Sequence, residues 1–295
     1  MRRVRAKGCG LRVHVTVTAR PGSQLRHLIP GSATLCRLVE GSPRSERRTA
    51  GYHPSRSVDS PFSSKTLAFL RSLTRHNDRD WFRLHKPEYE EHVRGPMVDM
   101  LARLAVDLRE FAPELVVDPR VSLYRIYRDT RFSTDKSPLK THVAAHFPSK
   151  DLSRGRGAAL YLEVSPKRVR IGGGLYMPAS SDLRQIREHI ATRYRTLHRM
   201  VTANGFRDAV GALSGAKLIS APKGYPANHP AINYLRFKQF LAGKEFEPNL
   251  AITDRFYPEL LRTFRAVAPL VRFLNAPLFI GQRAGLSDTP KELFK

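Results

Sequence analysis

The chain has 295 residues and 41% hydrophobic content, enough to bury a real core in one or two domains, which excludes a wholly disordered protein. No apolar run is long enough to cross a bilayer. The only cysteines, Cys9 and Cys36, lie near the N-terminus, which argues against a disulfide framework or a cysteine metal site and suits a reducing, cytoplasmic location with no membrane partner. Lys and Arg number 51 against 26 Asp and Glu, a formal charge of +25. Such a field favours phosphates, nucleotides, nucleic acid or another anionic surface, although an arginine-rich proteome produces the same balance.

Residues 1–60 hold 12 Lys and Arg against 3 Asp and Glu; the remainder holds 39 against 23, so the body is basic in its own right. The first 60 residues read as a disordered basic tail, rich in Gly, Pro, Ser and Arg and without a sustained period. Leu11 to Ala19 alternates enough for a short strand, but Arg12 and His14 break it as a secretory signal. Two accounts stay open: an organellar leader, or a stretch upstream of a start at Val58. The intact mass of the natively expressed protein tests the second: a mass that includes residues 1–57 ends it.

From Ser63 and Ser64 the pattern becomes helical, with Leu67, Leu70 and Leu73 on one side and a stop near His76 and Asn77. Asp80-Trp81-Phe82 opens a second helical piece, where the single tryptophan reads as a core anchor. Gly95-Pro96 starts a longer helix whose stripe is Met97, Leu101, Leu104, Leu108 and Phe111. After Pro113 the period changes to 2. Val121 to Asp129 reads as a central strand that leaves the core where its charges begin. Further strands are expected at His142 to Phe147, Ala158 to Val164 and from Val169, with links short enough for antiparallel pairing. Gly172-Gly173-Gly174 closes this section as a bulge or turn. A helix follows from Asp182, with Gln185 as its capping-box partner and Leu183, Ile186, Ile190, Tyr194, Leu197 and Val201 buried. Asn204-Gly205 should stop it, with a short helix to about Gly215 and a turn-rich loop over 217–240 after that. Phe256, Leu260, Phe264, Val267, Val271 and Leu274 mark a final amphipathic helix. The expected architecture is a single α+β domain over 61–285, helices on an antiparallel sheet, with a C-terminal tail over 286–295.

The chemistry gathers between Arg125 and His142. Arg125, Arg128, Arg131, Lys136 and Lys140 share this stretch with only Asp129 and Asp135, interleaved with Tyr127 and small hydroxyl residues. Guanidinium forks and ammonium groups suit phosphate or carboxylate oxygens, so these residues are expected to line a basic pocket, with Lys223, Tyr225 and His229 as another wall. Were a reaction catalysed, the arginines would stabilise charge and Asp129 or His142 would handle a proton. Two other readings stay open: a module binding single-stranded nucleic acid through Tyr124, Tyr127 and Phe132 among the arginines, and a structural network whose charges only pair with one another. Gly172 to Gly174 before the Asp182 helix has neither the lysine nor the spacing of a nucleotide loop, and no cofactor is expected. His142 and His146 would need a third ligand, such as His229 or Asp129, so no metal is assigned. The sequence names no reaction and no oligomeric state.

These residues resemble a family of uncharacterised bacterial and fungal proteins, domain of unknown function 2461. The similarity is carried in order by Asn77-Asp78-Arg79-Asp80-Trp81-Phe82, Arg125-Ile126-Tyr127-Arg128-Asp129 with Arg131-Phe132-Ser133, and Asp135-Lys136-Ser137-Pro138 with Lys140-Thr141-His142. Gly172 to Gly174 with Tyr176 and Pro178, Lys223-Gly224-Tyr225 and Leu274-Asn275 extend it to roughly residues 62–280. Thr134 and Leu139 depart from a commoner Lys and Tyr. The resemblance implies one compact domain that leaves residues 1–60 outside, and it supplies no catalytic residue.

Overall fold

The computed structural model describes residues 60–153 and 155–287. Residues 1–59 of the expected tail over 1–60, with its strand at Leu11 to Ala19 and the proposed start at Val58, lie outside the described residues, as do the last eight. Within them, helix α1 (Ser64–Arg75) begins after Ser63, whose backbone is extended as an N-cap requires. α2 (Arg79–Leu84) is capped by Asp78, which accepts the Trp81 N–H at 2.7 Å. Trp81 is half-buried rather than a core anchor: it packs on Phe69 and stacks between His76 and His85 at 5.5 and 4.1 Å.

Helix α3 (Lys86–Tyr89) runs through a π turn, Glu90–Arg94, into α4 (Gly95–Phe111). Pro96 has no N–H to offer the His92 carbonyl. The hydroxyl of fully buried Thr66 donates to that carbonyl instead at 2.6 Å, which ties α1 to the π turn.

The expected strand over 121–129 is not part of the sheet. Asp118 caps a single helical turn, α5 (Pro119–Ser122), and the chain beyond it makes only isolated bridges, Leu123 to Ala145 and Tyr127 to Leu139. A proline at the first helical position and a capping aspartate outweigh an alternation that buries neither face well. Asn77 holds this region down. Its amide donates to Leu139 O at 2.9 Å and accepts from Leu139 N at 3.0 Å, standing in for a missing strand neighbour.

The sheet is an antiparallel meander of β1 (Val143–Phe147), β2 (Ala159–Val164), β3 (Val169–Leu175) and β4 (Phe240–Phe246), in that spatial order. The β2–β3 turn is closed by the Ser165 hydroxyl, which accepts from Arg168 N at 3.1 Å and donates to Arg168 O at 2.8 Å. Between β3 and β4 the chain makes α6 (Ser180–Thr202), α7 (Asn204–Val210) and α8 (Ile232–Leu235). Asp182 sits one turn into α6 and binds Arg156 rather than forming a capping box. α6 ends at Thr202, just before Asn204 and Gly205, and the expected short helix follows as α7.

One face of the sheet is the core. Phe147, Leu160, Leu162, Val164, Val169, Ile171, Leu175 and Phe240 lie on it, fully buried under the long helix α9 (Phe256–Ser287). Phe264 of α9 meets Phe147 edge-on at 5.4 Å. Asn275 of α9 is buried and clamps the chain entering β2, accepting from Ala158 N at 2.7 Å and donating to Ala158 O at 3.0 Å. The described residues thus form the α+β arrangement of helices on an antiparallel sheet, and they fall in one compact unit. Among them no helix is long and apolar enough to cross a membrane.

Candidate functional site

Among the described residues, the sheet's other face borders an open groove. The register places three cross-strand rows on it: Ala144, Glu163, Arg170 and Glu245; His146, Tyr161, Gly172 and Gly243; then Ala159, Gly174 and Leu241. In the middle row the β1 and β2 positions carry rings and the β3 and β4 positions carry no side chain. The result is a groove of about 860 Å³ whose floor is backbone on one side and whose wall is His146 and Tyr161 on the other. Gly172 to Gly174 are therefore strand residues, not a terminal turn. At Gly172 the strands come so close that a Cβ would lie 2.4 Å from Ala242 O and 2.6 Å from the Gly243 Cα, so glycine is demanded inside a strand, where it is otherwise unfavourable.

Polar chemistry surrounds this hollow. Glu163 is only 7% exposed, and its carboxylate accepts the Tyr161 hydroxyl at 2.8 Å. Arg168 and Arg170 stand 3.7 and 3.8 Å from it, and Arg170 makes its short contacts, 2.9 and 2.6 Å, with Glu245. Burial, reinforced by Glu163, pushes the Tyr161 phenol well above its ordinary value, so it stays a hydrogen-bond donor. His142 also lines the groove. Burial lowers its pKa against the opposing pull of Glu163, and Lys140, Arg168 and Arg170 lower it further, so the imidazole is neutral at pH 7. At one end Arg156 is held by three bonds to Asp182, 3.0, 3.1 and 2.8 Å.

The cations of 125–142 divide into two sets. Arg128 pairs with Asp135, and Arg131 grips Asp129 at 3.0 and 2.8 Å, holding that carboxyl down at about 2. Lys136 donates to Thr130 O at 3.1 Å. These residues line neither of the concavities described here, and an aspartate so acidic and so engaged is a poor proton acceptor near neutrality. Lys140 and Arg125 behave differently. The Lys140 ammonium donates to Arg125 O at 3.0 Å and lies 4.8 Å over the Tyr124 ring. Burial lowers its pKa, and the positive charge of Arg125 lowers it again. Neither cation makes an ion pair among the described residues. Lys223, Tyr225 and His229 sit in the loop before α8, where Tyr225 meets His229 edge-on at 5.9 Å, and they too line neither concavity. Tyr127 is exposed and packs edge-on against Phe82 at 5.9 Å in a smaller cleft, where Arg125 also lies.

Of the residues expected to act together, Lys140 and His142 reach the groove, and Arg125 and Tyr127 stand just across Tyr124 from it. The groove residues that sequence reasoning missed are His146 as a wall, Tyr161, Arg170, Arg156 and Gly243, with Glu163 behind Tyr161. The period-2 spacing of Lys140, His142, Ala144 and His146 already put four positions on one face. Nothing in the sequence announced that this face borders a groove among the described residues. Among the described residues no group of three His, Cys, Asp or Glu is placed to hold a metal ion.

Residues 65–273 match the model of one family, described as conserved hypothetical protein (DUF2461). No curated protein matches the chain.

Proposed function

Because this chain belongs to the DUF2461 family of conserved hypothetical proteins, a membership that brings no assigned chemistry, we propose from the site itself that it is an anion-binding domain whose ligand lies in the sheet groove with its negative group on Lys140 and Arg125. The observation that carries this reading is the pair of cations placed close enough to repel, beside an open hollow, with no ion-pair partner among the described residues. Two like charges held together cost free energy that a bound anion returns. Phosphate or carboxylate suits the mixed guanidinium and ammonium donors. The neutral His142 imidazole, which also lines the groove, adds a donor without adding charge.

The test is thermal unfolding of the full chain in phosphate, pyrophosphate and citrate, compared with chloride at equal ionic strength. A ligand that binds only the folded state raises the midpoint by mass action. The expected result is a rise for wild type, loss of that rise in Lys140→Ala and Arg125→Ala, and retention in Arg128→Ala. A wild-type midpoint indifferent to all three anions, or an unchanged response in both site variants, refutes the reading.

A further inference from the structure

Tyr124 is shared by two concavities. On one side is the groove; on the other is a cleft of about 320 Å³ between α3, the π turn and the 123–127 segment. Lys140 lines the first and Arg125 the second, so the cation pair sits on the divide. We propose that the anion at this divide is an internal phosphate of a single-stranded oligonucleotide whose bases enter the two concavities. This deepens the anion-site reading and rests on it.

Each concavity supplies one available ring. Tyr176 stands 69% exposed on the groove and Tyr127 48% exposed on the cleft. Tyr124 is already engaged, by His146 stacked at 4.8 Å and by the Lys140 ammonium. A planar group can therefore lie on Tyr176 and another on Tyr127, with the charge between them. Tyr176 follows the end of β3, and Tyr124 lies along the outer side of β1, bonded to Ala144 O at 3.0 Å. Three inter-strand spacings, about 14 Å, separate those positions across the sheet, and the stretch from Arg170, in register with Ala144, to Tyr176 adds about 20 Å along it, far beyond the reach of one base. A ligand using both rings carries planar groups several backbone units apart with anions between them, which is the repeat of a nucleic-acid strand. Sequence-tolerant stacking on aromatic rings along a cationic track is how single strands are held, and paired bases in a duplex cannot offer their faces in this way.

The charge pattern agrees. In the cleft Glu90 is taken by Arg94 at 3.1 Å, leaving Lys86 and Arg125 without an ion-pair partner among the described residues. In the groove Glu245 is taken by Arg170. The lining carboxylates are thus neutralised in place, and the surplus positive charge follows the proposed path from Lys140 past Tyr124 to Arg125 and Lys86.

The test uses the full chain and a fluorescein-labelled eight-residue oligothymidylate, read by anisotropy at fixed salt, alongside thymidine monophosphate, the same sequence as a duplex, and pyrophosphate by thermal shift. Tyr127→Ala and Tyr176→Ala alter exposed rings, leave the N-terminal residues untouched, and are checked for folding by their urea midpoints. The proposal expects each variant to weaken the oligonucleotide by about 5- to 150-fold, the range that loss of one stacked base produces, with the pyrophosphate response unchanged. It also expects the monophosphate and the duplex to compete poorly. Wild-type affinity in either tyrosine variant, or a monophosphate that binds as tightly as the eight-residue strand, overturns the oligonucleotide while leaving the anion site standing. Absence of any pyrophosphate response in wild type overturns the anion site beneath it.

Discussion

Replacing Asn275 with alanine removes one side chain and orphans two backbone groups. The Ala158 N–H and C=O both lie on the Asn275 amide, at 2.7 and 3.0 Å, and Asn275 is 2% exposed. A buried polar group left without a partner costs about 1–3 kcal/mol, so the two together cost about 2–5 kcal/mol after partial relaxation. That is a large share of the roughly 5–15 kcal/mol that holds a typical domain folded. At about 2–4 °C per kcal/mol for a domain of this size, the midpoint falls by about 4–20 °C. Urea unfolding followed by circular dichroism measures the free energy directly, and its slope should stay near the wild-type value if the same surface is exposed. Asn275→Asp is the sharper control, because it keeps the acceptor for Ala158 N–H and turns the donor into a charge facing Ala158 O. Burial and that carbonyl raise the new carboxyl above its unfolded value, so its stability is greatest below the ordinary carboxylate range and is lost as pH rises through the raised value. A loss below about 1 kcal/mol in Asn275→Ala would show that the clamp is not what fixes the entry to β2.

Other perturbations separate the remaining parts of the account. Thr66→Val keeps the shape but strips the hydroxyl from His92 O, and should cost about 1–3 kcal/mol by chemical denaturation; a neutral result would mean that the π turn finds another donor. Gly172→Ala forces a Cβ against Ala242 O and should destabilise by about 1–3 kcal/mol, while the same change at exposed Gly205, which meets nothing within 4 Å, should not. His142 and His189 both have lowered pKa values, chiefly from burial, so the unfolded chain binds protons there first and stability should decline as pH falls through the ordinary imidazole value near 6.5. His142→Gln should flatten that decline between pH 8 and 5; an unchanged slope of midpoint against pH would place the effect elsewhere.

How far the sequence foretold this arrangement depended on whether the signal was local. Leu67, Leu70 and Leu73 in α1, the Met97 to Leu108 stripe in α4, and Phe256 to Leu274 in α9 repeat at helical spacing and are buried as that spacing requires. The β2–β3 hairpin was legible because Ser165-Pro166-Lys167 is turn chemistry between two apolar runs. β4 was missed because Phe240 to Phe246 mixes Gly243 with Lys244 and Glu245 and shows no alternation, and its partner β3 lies across three intervening helices. The 125–142 stretch showed its charge but not its pairing. Arg131 with Asp129 and Arg128 with Asp135 are short-range neutralisations that any dense mixed-charge loop can make. Lys140 was set apart from them by tertiary structure alone, since Tyr124, Arg125 and the grooved sheet face are brought to it by the Tyr127 to Leu139 bridge and the Asn77 clamp.

The central claim is that Lys140 and Arg125 form a cationic site awaiting a counter-charge. The titration of the Lys140 ammonium by ¹⁵N-lysine-edited NMR tests it most directly. The account predicts a pKa below the ordinary lysine value, a rise when Arg125 is replaced by alanine, and a rise again when pyrophosphate is added to wild type. A Lys140 that titrates at or above the ordinary value, and responds to neither change, would contradict it.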